Sequence, residues 1–426
     1  MAGKIKEISA QDFKSEVLEA KCAVVDFYST ECPPCEALAG KYESLSLIYG
    51  DDVKFIKIFR QENRALAEEL EVSGSPTVLF YQQGKLMDER LTGGIRRTDL
   101  MKNLDQLLAP ERAEELKKKI VSKERECEVL ILGGGPGGLS AAIYAGQAKL
   151  DTVLVDIALP GGQVSTTHLV SNYPGFIEPQ PGFMLSHYMS EQAKGAGVEF
   201  VTAVDVSEVD LEKKEILVDG FERIRAKKII LATGASPKPL GIKGEREYKG
   251  QGVSYCATCD AKYYQGKEVI VIGGGNSAIE ESLFITRFAS KVTVVHQFAE
   301  LQANKQAQQK AFSNNKITFI FEHEPREFIK KNGSMEAVVE DLRSGESSTI
   351  KGAGIFVFAG MKPNLDFVGH ALKRDQWGYL KTDEKMYTNI SDVFAVGDVR
   401  SKEYRQITTA AADGTIAAIA IAAELA

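Results

Sequence analysis

Two pairs of cysteines have the spacing that redox chemistry uses. The pair Cys32–Cys35 encloses two prolines, and the pair Cys256–Cys259 is followed directly by the carboxylate of Asp260. Thiols at this spacing close a small disulfide, and in a reducing compartment they indicate redox chemistry or metal binding rather than structural crosslinks. Because the two pairs belong to different predicted folding units, we expect no zinc ion between them and no other metal. A glycine-rich loop after the second pair predicts that a nucleotide cofactor supplies electrons to a disulfide.

The composition is that of a soluble globular protein, with 44% hydrophobic and 26% charged residues among 426. This length predicts two to four domains. The net charge of −7 argues against nucleic acid as a partner, since phosphate binding requires a basic face. Residues 1–7 have no apolar core behind them, and the apolar stretch 414–423 covers about half a membrane span, so it predicts a buried helix. We therefore expect a cytoplasmic protein without a membrane segment.

The predicted elements divide the chain into domains. Residues 1–108 follow the order β-α-β-α-β-β-α after an N-terminal helix, which predicts an α/β fold with a small mixed sheet. Residues 109–126 are mostly charged and contain an early proline, which predicts a partly helical linker. The remainder holds two βαβ units, near 128–156 and 269–296, and they predict an internal duplication.

The first glycine-rich loop has the context that dinucleotide binding requires. Gly133-x-Gly135-x-x-Gly138 follows a predicted strand and begins a predicted helix. The glycines permit a tight turn, close approach of a pyrophosphate and close packing of the helix, whose N-terminus carries partial positive charge. Asp156 ends the next strand, where a carboxylate can accept hydrogen bonds from an adenosine ribose. The loop therefore predicts a dinucleotide site.

The second loop, Gly273-x-Gly275-x-x-Ala278, repeats the pattern with alanine in the third position. Its next strand ends at His296, and neither a carboxylate nor an arginine closes it. The residues that follow, 297–302, contain no lysine or arginine to pair with a 2′-phosphate. This half is predicted to bind a second nucleotide, and the alternative is a degenerate, empty nucleotide fold.

From Cys127 onward the chain resembles the low-molecular-weight, bacterial-type thioredoxin reductases. Eight motifs occur in the family's order, namely Gly133–Gly138, Gly161-Gly162-Gln163, Asn172–Gly175, Ala232-Thr233-Gly234, Cys256–Asp260, Gly273–Ala278, Gly397-Asp398 and Arg405-Gln406. The resemblance implies two Rossmann-like three-layer domains and a homodimer. A split FAD-binding domain would comprise residues 127–240 and 366–426, and the inserted NAD(P)-binding domain, 241–365, would carry the second cysteine pair.

The resemblance also implies which residues contact the cofactors. The matching positions for FAD are Gly133, Gly135, Pro136, Gly138, Asp156, Gly162, Gln163, Asn172, Ala232, Thr233, Gly234, Gly397, Asp398, Arg405, Gln406 and Ile407. Those for the nicotinamide nucleotide are Gly273, Gly275, Asn276, Ser277, Ala278, His296 and Glu300.

Residues 1–108 resemble thioredoxin. The matching pieces are Val25-Asp26-Phe27, Cys32–Cys35, Lys57, Ser75-Pro76-Thr77 and Gly93. The family's proline at the position of Pro76 is cis and faces the disulfide. Two departures occur, since Glu31 replaces a tryptophan and Pro33-Pro34 replaces Gly-Pro. They predict a changed partner surface and an altered redox potential.

Together the two resemblances imply an electron relay, in which hydride passes from the nicotinamide nucleotide to the flavin. The flavin then reduces the second pair through Cys259, and Cys256 attacks the outside disulfide while Asp260 protonates the leaving thiolate. The natural acceptor is Cys32–Cys35 on the same chain or its dimer partner. In that pair Cys32 is the nucleophile, because a helix N-terminus lowers its pKa, and Cys35 resolves the mixed disulfide. Asp26 manages the proton of Cys35, and Lys57 is its charge partner.

The electron donor is predicted to be NADH, because NADPH users in the family carry arginines where this chain has Gln297, Phe298 and Gln302. Glu300 could reach a ribose hydroxyl. The predicted function is thus that of a thioredoxin reductase–thioredoxin hybrid acting on protein disulfides. The alternatives are a peroxiredoxin-reductase-like flavoprotein, a reductase fed by a ferredoxin, and a non-enzymatic redox sensor or scaffold.

Overall fold

The computed structural model describes residues 5–30, 32–167, 169–170, 172–369 and 371–426, and for Cys259 the backbone alone. Contacts divide the chain into two compact units. The first comprises Met1–Gly162, Leu185–Gly234 and Leu365–Ala426, and the second comprises Gln163–Met184 and Ala235–Asn364. Each unit is described by itself below.

The N-terminal part of the first unit is built on a mixed sheet covered by helices on both faces. Its strands are β1 (Ile5–Glu7), β2 (Cys22–Tyr28), β3 (Lys54–Phe59), β4 (Thr77–Gln82), β5 (Lys85–Leu86) and β6 (Leu91–Thr92). Its helices are α1 (Pro33–Tyr49), α2 (Arg64–Glu69), α3 (Arg97–Gln106) and α4 (Pro110–Lys117). In place of the predicted N-terminal helix, a 3₁₀ turn (Ala10–Asp12) precedes a short π-helix (Lys14–Leu18).

This sheet has the order β1-β3-β2-β4-β5, with β6 on β4. Strand β2 is buried on both faces, as a nearly continuous apolar run predicts for a central strand. The segment predicted as a linker holds α4, whose Leu116 is buried in the core beneath α1 and α3. Since the next strand begins at Lys123, only residues 118–122 lie between elements.

A second, seven-stranded sheet completes the first unit. The next elements along the chain are β7 (Lys123–Leu132), α5 (Pro136–Gln147), β8 (Thr152–Asp156), α6 (Gly162–Ser165), α7 (Gly182–Gly195), β9 (Glu199–Thr202), β10 (Val206–Asp210), β11 (Glu215–Val218), β12 (Glu222–Leu231) and β13 (Ala235–Pro237). The sheet order is β10-β11-β12-β7-β8-β9. Strands β12, β7, β8 and β9 are parallel, which places the carboxyl ends of β7 and β8 side by side.

The second unit contains a five-stranded parallel sheet and a three-stranded antiparallel one. Its elements are β14 (Val253–Ser254), α8 (Ala257–Asp260), β15 (Glu268–Ile272), α9 (Asn276–Ile285), β16 (Lys291–His296), α10 (Lys305–Phe312), β17 (Ile317–Phe321), β18 (His323–Lys331), β19 (Ser334–Asp341), β20 (Ser347–Gly352), β21 (Gly354–Val357) and β22 (Met361–Pro363). The parallel sheet has the order β14-β21-β15-β16-β17. Strand β22 pairs with β13, where the chain enters and leaves this unit.

The chain then returns to the first unit with β23 (Val393–Ala395), which joins β12, and α11 (Ile407–Leu425). Helix α11 is long and apolar enough to cross a membrane by length and composition. It nevertheless packs closely on α5, since a Cβ atom on Gly414 would lie 2.0 Å from the Gly137 carbonyl oxygen. Ala417, Ala418 and Ile421 are buried in the same core. This packing is that of a helix inside a domain.

Candidate functional site

The first cysteine pair lies where β2 passes into α1. Cys32 is the N-cap of that helix, and its sulfur accepts a hydrogen bond from the Cys35 backbone N–H at 3.3 Å. Pro33 occupies the first helical turn, where a missing N–H costs nothing. Cys32 and Cys35 form a disulfide, and Cys32 is 8% exposed. A thiolate at this position would be stabilised by the helix N-terminus. Glu31, the predicted departure beside it, lies outside the described residues.

A cis peptide bond between Ser75 and Pro76 faces this disulfide. The Ser75 carbonyl oxygen lies 3.5 Å from the Cys32 sulfur. The loop after β6 is tied to the same turn, because the Gly93 backbone N–H donates to the Pro76 carbonyl at 3.3 Å. The surface around the disulfide is therefore formed by the start of α1, the Ser75–Pro76 turn and the Gly93 loop.

Asp26 is a buried carboxylate on β2, 1% exposed. Its Oδ1 atom has no hydrogen-bond partner in the described part of the chain. Burial raises the pKa of Asp26 to about 7, while the positive charge of Lys57 opposes the rise. Lys57 is the register partner of Asp26 on β3, and its Nζ lies 5.4 Å from the centre of the Tyr28 ring. Asp26 can thus exchange a proton near neutral pH.

The second cysteine pair lies at the start of α8 in the second unit. Cys256 is disulfide-bonded, and its backbone N–H donates to the Ser254 hydroxyl at 3.1 Å. The side chain of Cys259 lies outside the described residues. The Asp260 backbone N–H donates to the Cys256 carbonyl at 3.3 Å, so the acid is one helical turn from the first cysteine. Burial raises the pKa of Tyr264, and the charge of Asp260 raises it further.

The first glycine-rich loop has the shape that a pyrophosphate needs. Gly133 has φ of 110°, and a Cβ atom there would lie 2.4 Å from the Ala232 carbonyl oxygen. A Cβ on Gly138 would lie 1.9 Å from the Gly133 carbonyl oxygen, so the helix can approach the strand only without a side chain. Around Gly135 a Cβ would meet open space, which leaves room for a ligand at the N-terminus of α5. Pro136 is the first residue of that helix.

Asp156 closes the same site from the end of β8. Its carboxylate accepts hydrogen bonds from the backbone N–H groups of Gly134 at 2.5 Å and Ala158 at 2.8 Å. Burial nevertheless raises its pKa. The acid therefore holds the loop in place.

Two buried polar atoms near the Gly397 turn lack hydrogen bonds in the described part of the chain, namely Asp398 Oδ1 and Arg405 Nε. The nearest cation to Asp398 is Lys402, whose Nζ is 3.6 Å away. The Arg405 guanidinium lies 3.8 Å from the centre of the Tyr379 ring. Buried polar groups ordinarily have partners. These two atoms, with the open space at Gly135, fit a polar ligand such as FAD.

The remaining residues predicted to contact FAD are placed as follows. Ala232, Thr233 and Gly234 follow the end of β12 beside Gly133, and Gly234 has φ of 64°. A Cβ on Gly162 would lie 3.1 Å from the Gly135 Cα, so this turn lies against the loop. Gln406 caps α11, which begins at Ile407. Gln163 and Asn172 belong to the second unit.

Sequence reasoning missed Asp413, a buried acid in α11. It accepts hydrogen bonds from the Gly397 backbone N–H at 3.0 Å, from Arg400 at 2.8 Å and from Lys402 at 3.0 Å. Asp413 therefore fixes the turn that carries Asp398. The signal was present, because Asp413 is an acid in the middle of a mostly apolar helix.

The second loop repeats the backbone shape of the first. Gly273 has φ of 128°, and a Cβ there would lie 2.3 Å from the Phe358 carbonyl oxygen. Gly275 faces open space at the N-terminus of α9, and the methyl group of Ala278 is accommodated in the third position. Asn276 and Ser277 are exposed at the start of the helix, and Asn276 accepts a hydrogen bond from the Asn304 backbone N–H at 2.7 Å.

His296 distinguishes this loop from the first. Its ring packs against Gly274, where a Cβ atom would lie 2.5 Å from the ring. The Nε2 atom is 3.1 Å from the Glu300 carbonyl oxygen, and burial lowers the pKa of the imidazole. The ring is therefore neutral at pH 7. The Glu300 side chain itself is exposed.

Comparisons with known proteins agree with this architecture. Residues 127–414 match the pyridine nucleotide-disulphide oxidoreductase family, and residues 4–106 match the thioredoxin family. The thioredoxin reductase of Peptoclostridium litorale is 45% identical over 305 residues, which cover 70% of this chain and 96% of that protein. The thioredoxin reductase of Bacillus subtilis is 41% identical over 301 residues, which cover 70% and 94% of the two chains.

A solved structure shows the same likeness. The thioredoxin reductase of Lactococcus lactis is 40% identical and superposes with a TM-score of 0.66 over 70% of this chain and 99% of that one. This chain belongs to the thioredoxin reductases of the pyridine nucleotide-disulphide oxidoreductase family, with a thioredoxin domain fused at its N-terminus. The predicted fold class, a thioredoxin fold followed by two Rossmann-like domains, is confirmed.

Proposed function

We propose that this flavin-dependent thioredoxin-disulfide reductase uses NADH and the Cys256–Cys259 pair to reduce its own Cys32–Cys35 disulfide, which then reduces disulfides of other proteins. The observation that carries the proposal is that both cysteine pairs and an FAD-compatible loop occur on one chain. When bound, FAD and the nicotinamide nucleotide supply the two-electron chemistry. The proposed FAD domain comprises residues 127–240 and 366–426, and the proposed nucleotide domain comprises residues 241–365.

The proposed exchange between the two pairs balances at each step. The Cys256 thiolate attacks Cys32, so that a Cys256–Cys32 bond forms and the Cys32–Cys35 bond breaks. Cys35 leaves as a thiolate and takes a proton from Asp26, whose pKa of about 7 suits the transfer. Cys259 then attacks Cys256 and releases reduced Cys32. Asp260, one turn from Cys256, is the proposed acid for the thiolates of that pair.

The preference for NADH is supported by the end of β16. Residues 297–302 contain no lysine or arginine, and the neutral ring of His296 packs under Gly274. A 2′-phosphate would be left there without ion pairs, whereas a ribose hydroxyl needs none. The exposed carboxylate of Glu300 is available to accept a hydrogen bond from it.

The proposal extends to the setting of the enzyme. We infer a homodimer on the basis of the family resemblance, in a cytoplasmic setting where the downstream acceptors are disulfide proteins; a peroxiredoxin is the alternative acceptor. The chain offers the partner-facing surface of a thioredoxin domain for these acceptors. Light scattering of the flavin-loaded protein measures the dimer directly, and a monomeric mass would contradict that part of the proposal.

The test separates flavin reduction from disulfide reduction. We expect Cys32→Ser to retain anaerobic bleaching of the flavin by NADH but to lose more than 99% of NADH-dependent insulin reduction, because the outgoing thiol is missing. Cys22→Ser is the matched control, since Cys22 is a buried thiol whose sulfur bonds only the Leu107 carbonyl among the described residues. Full insulin reduction by Cys32→Ser, or faster bleaching by NADPH than by NADH in the parent protein, would contradict the proposal.

A further inference from the structure

The thioredoxin domain lies in the same compact unit as residues 127–162, 185–234 and 366–426 of the proposed FAD domain, and the two meet at Lys41. This α1 lysine donates hydrogen bonds to the carbonyl oxygens of Thr202 at 2.8 Å and Ala203 at 2.6 Å, both in the FAD domain. It also donates to the Ile95 carbonyl of its own domain at 3.1 Å. Three acceptors match the three donors of an ammonium group, so the half-buried lysine is fully satisfied across the contact.

A carboxylate of the FAD domain binds the other side of the contact. Asp205 pairs with the Arg96 guanidinium at 3.0 Å and accepts a hydrogen bond from the Thr98 hydroxyl. Arg96 caps α3, so the carboxylate lies at the positive end of that helix. Asp205 is itself held by Asp219, whose carboxylate accepts its backbone N–H at 2.9 Å. The acceptor is therefore preorganised by its own domain.

Between these polar contacts the two domains pack through a buried guanidinium and apolar groups. The guanidinium of Arg97, a residue only 3% exposed, lies 4.7 Å from the centre of the Phe221 ring. A Cβ atom on Gly94 would lie 3.5 Å from Leu159 and 3.8 Å from Ala203, so the loop fits closely against the FAD domain. Buried cation–π and apolar contacts of this kind are characteristic of the centre of a specific interface.

The contact reaches both sides of the Cys32–Cys35 disulfide. On one side Glu36, the residue after Cys35, pairs with Lys194 of the FAD domain at 3.2 Å. On the other side Gly94 follows Gly93, whose N–H is bonded to the Pro76 carbonyl. The surfaces that a disulfide partner would use are thus partly covered by the FAD domain.

We propose that this surface, formed by Lys41, Arg96, Arg97 and Thr98 against residues 202–205 and Phe221, is a docking site that holds the thioredoxin domain at rest and limits access of outside proteins to Cys32–Cys35. The occupant of this docking site is the thioredoxin domain of the same chain. Because only residues 118–122 separate α4 from β7, the tether keeps the two surfaces at an effective concentration of roughly millimolar, so modest intrinsic affinity suffices. The docking itself is independent of the proposed function, whereas its effect on turnover rests on that function.

Hydrogen exchange of the full-length, flavin-loaded protein tests the docking. We expect Lys41→Met and Asp205→Asn each to speed amide exchange at least tenfold in residues 94–98 and 202–205, because each removes contacts on a different domain. Strand β2 should keep its protection, which separates undocking from unfolding. Lys102→Met and Asp210→Asn are matched controls, since these residues pair with Glu89 and Lys213 within their own domains. Unchanged exchange in both test variants would overturn the docking site.

Two further measurements complete the test. A charge swap, Arg96→Asp with Asp205→Arg, is expected to restore protection relative to either single change, and failure to restore it would argue against the pairing.

We expect the undocked variants to reduce insulin at least threefold faster, while reduction of a small aromatic disulfide changes less than twofold. Faster exchange without faster insulin reduction would overturn the control of access. An inactive parent protein would instead contradict the proposed function, and the exchange result would still decide the docking site.

Discussion

The two glycine-rich loops share a backbone but differ in the residue that closes each one. In both, the first glycine has a positive φ that places it against the carbonyl oxygen of a neighbouring strand end. In both, the residue directly after that first glycine, Gly134 or Gly274, packs on the side chain at the end of the next strand. That side chain is Asp156 in the first loop and His296 in the second.

Under the proposed function, this difference lets one backbone arrangement serve two nucleotides. Asp156 accepts two backbone N–H groups at the end of its strand, whereas the Nε2 atom of the His296 ring lies 3.1 Å from the Glu300 carbonyl oxygen. The glycines determine where a pyrophosphate would fit, because the open space at Gly135 and Gly275 lies at the N-terminus of a helix. We propose that the closing residue decides which adenosine ribose is accepted, since it supplies or withholds charge beside the hydroxyl groups.

The largest expected effect concerns the third loop position. Gly138→Ala would place a Cβ atom 1.9 Å from the Gly133 carbonyl oxygen, so the helix must move away from the strand. We expect the affinity for FAD to fall at least about 1,000-fold, the size of a major steric disruption, as measured by flavin absorbance after gel filtration. The matched change Ala278→Gly, at the equivalent position of the second loop, should leave flavin content unchanged. Full flavin content in Gly138→Ala would show that the first loop accepts a side chain that its geometry excludes.

An intermediate effect is expected where the second loop lacks cations. The double change Gln297→Arg with Gln302→Arg should raise the ratio of kcat/KM for NADPH to that for NADH by about 10- to 100-fold, because charge-assisted hydrogen bonds to a phosphate contribute about 1.5–3 kcal/mol. Gln309→Arg adds a charge on the exposed side of α10 and serves as the control. A ratio that does not move would mean that the ribose lies elsewhere.

The smallest expected effect is on the pH dependence of stability. It tests the contribution of His296, the base that occupies the position where the first loop has the acid Asp156. Because burial lowers the pKa of His296, the folded protein binds its proton less readily than the unfolded chain does. The free energy of unfolding should therefore decrease as the pH falls below about 6.5, by at most about 1.4 kcal/mol per pH unit, the limit for one proton. His296→Asn should flatten this part of the profile in urea titrations between pH 5 and 7. An unchanged slope in the variant would assign the dependence to other groups.

Much of the site could be predicted because its motifs are local. The glycine pattern, the cysteine spacing and the acid at position 156 depend on a strand, a turn and a helix that are consecutive in the chain. Such short-range constraints require particular residue types at fixed spacing. The two glycine-rich loops and both cysteine pairs can therefore be recognised from the sequence. The resemblance to thioredoxin and to thioredoxin reductases follows from the same motifs, and the comparisons confirm the fusion.

Other features depend on residues that are distant in the chain. Asp413 supports the Gly397 turn from within α11, and Lys41 bonds carbonyl oxygens some 160 residues away. No pattern in the sequence pairs these groups, because carbonyl acceptors are present at every residue and only folding selects which ones meet. The predicted linker, residues 109–126, also acquires its role only through distant contacts. Leu116 is buried in the core of the thioredoxin domain, so α4 belongs to that domain.

The sequence by itself determined the chemistry of this protein, namely two dithiols and two nucleotide loops, because that chemistry requires specific residue types at short spacing. Only the tertiary structure decided the surroundings that tune it. Burial raises the pKa of Asp26 to about 7. The His296 ring packs against Gly274, and burial lowers its pKa. Docking covers the edges of the Cys32–Cys35 surface. Each of these depends on desolvation and on contacts between distant segments, which arise only when the chain has folded.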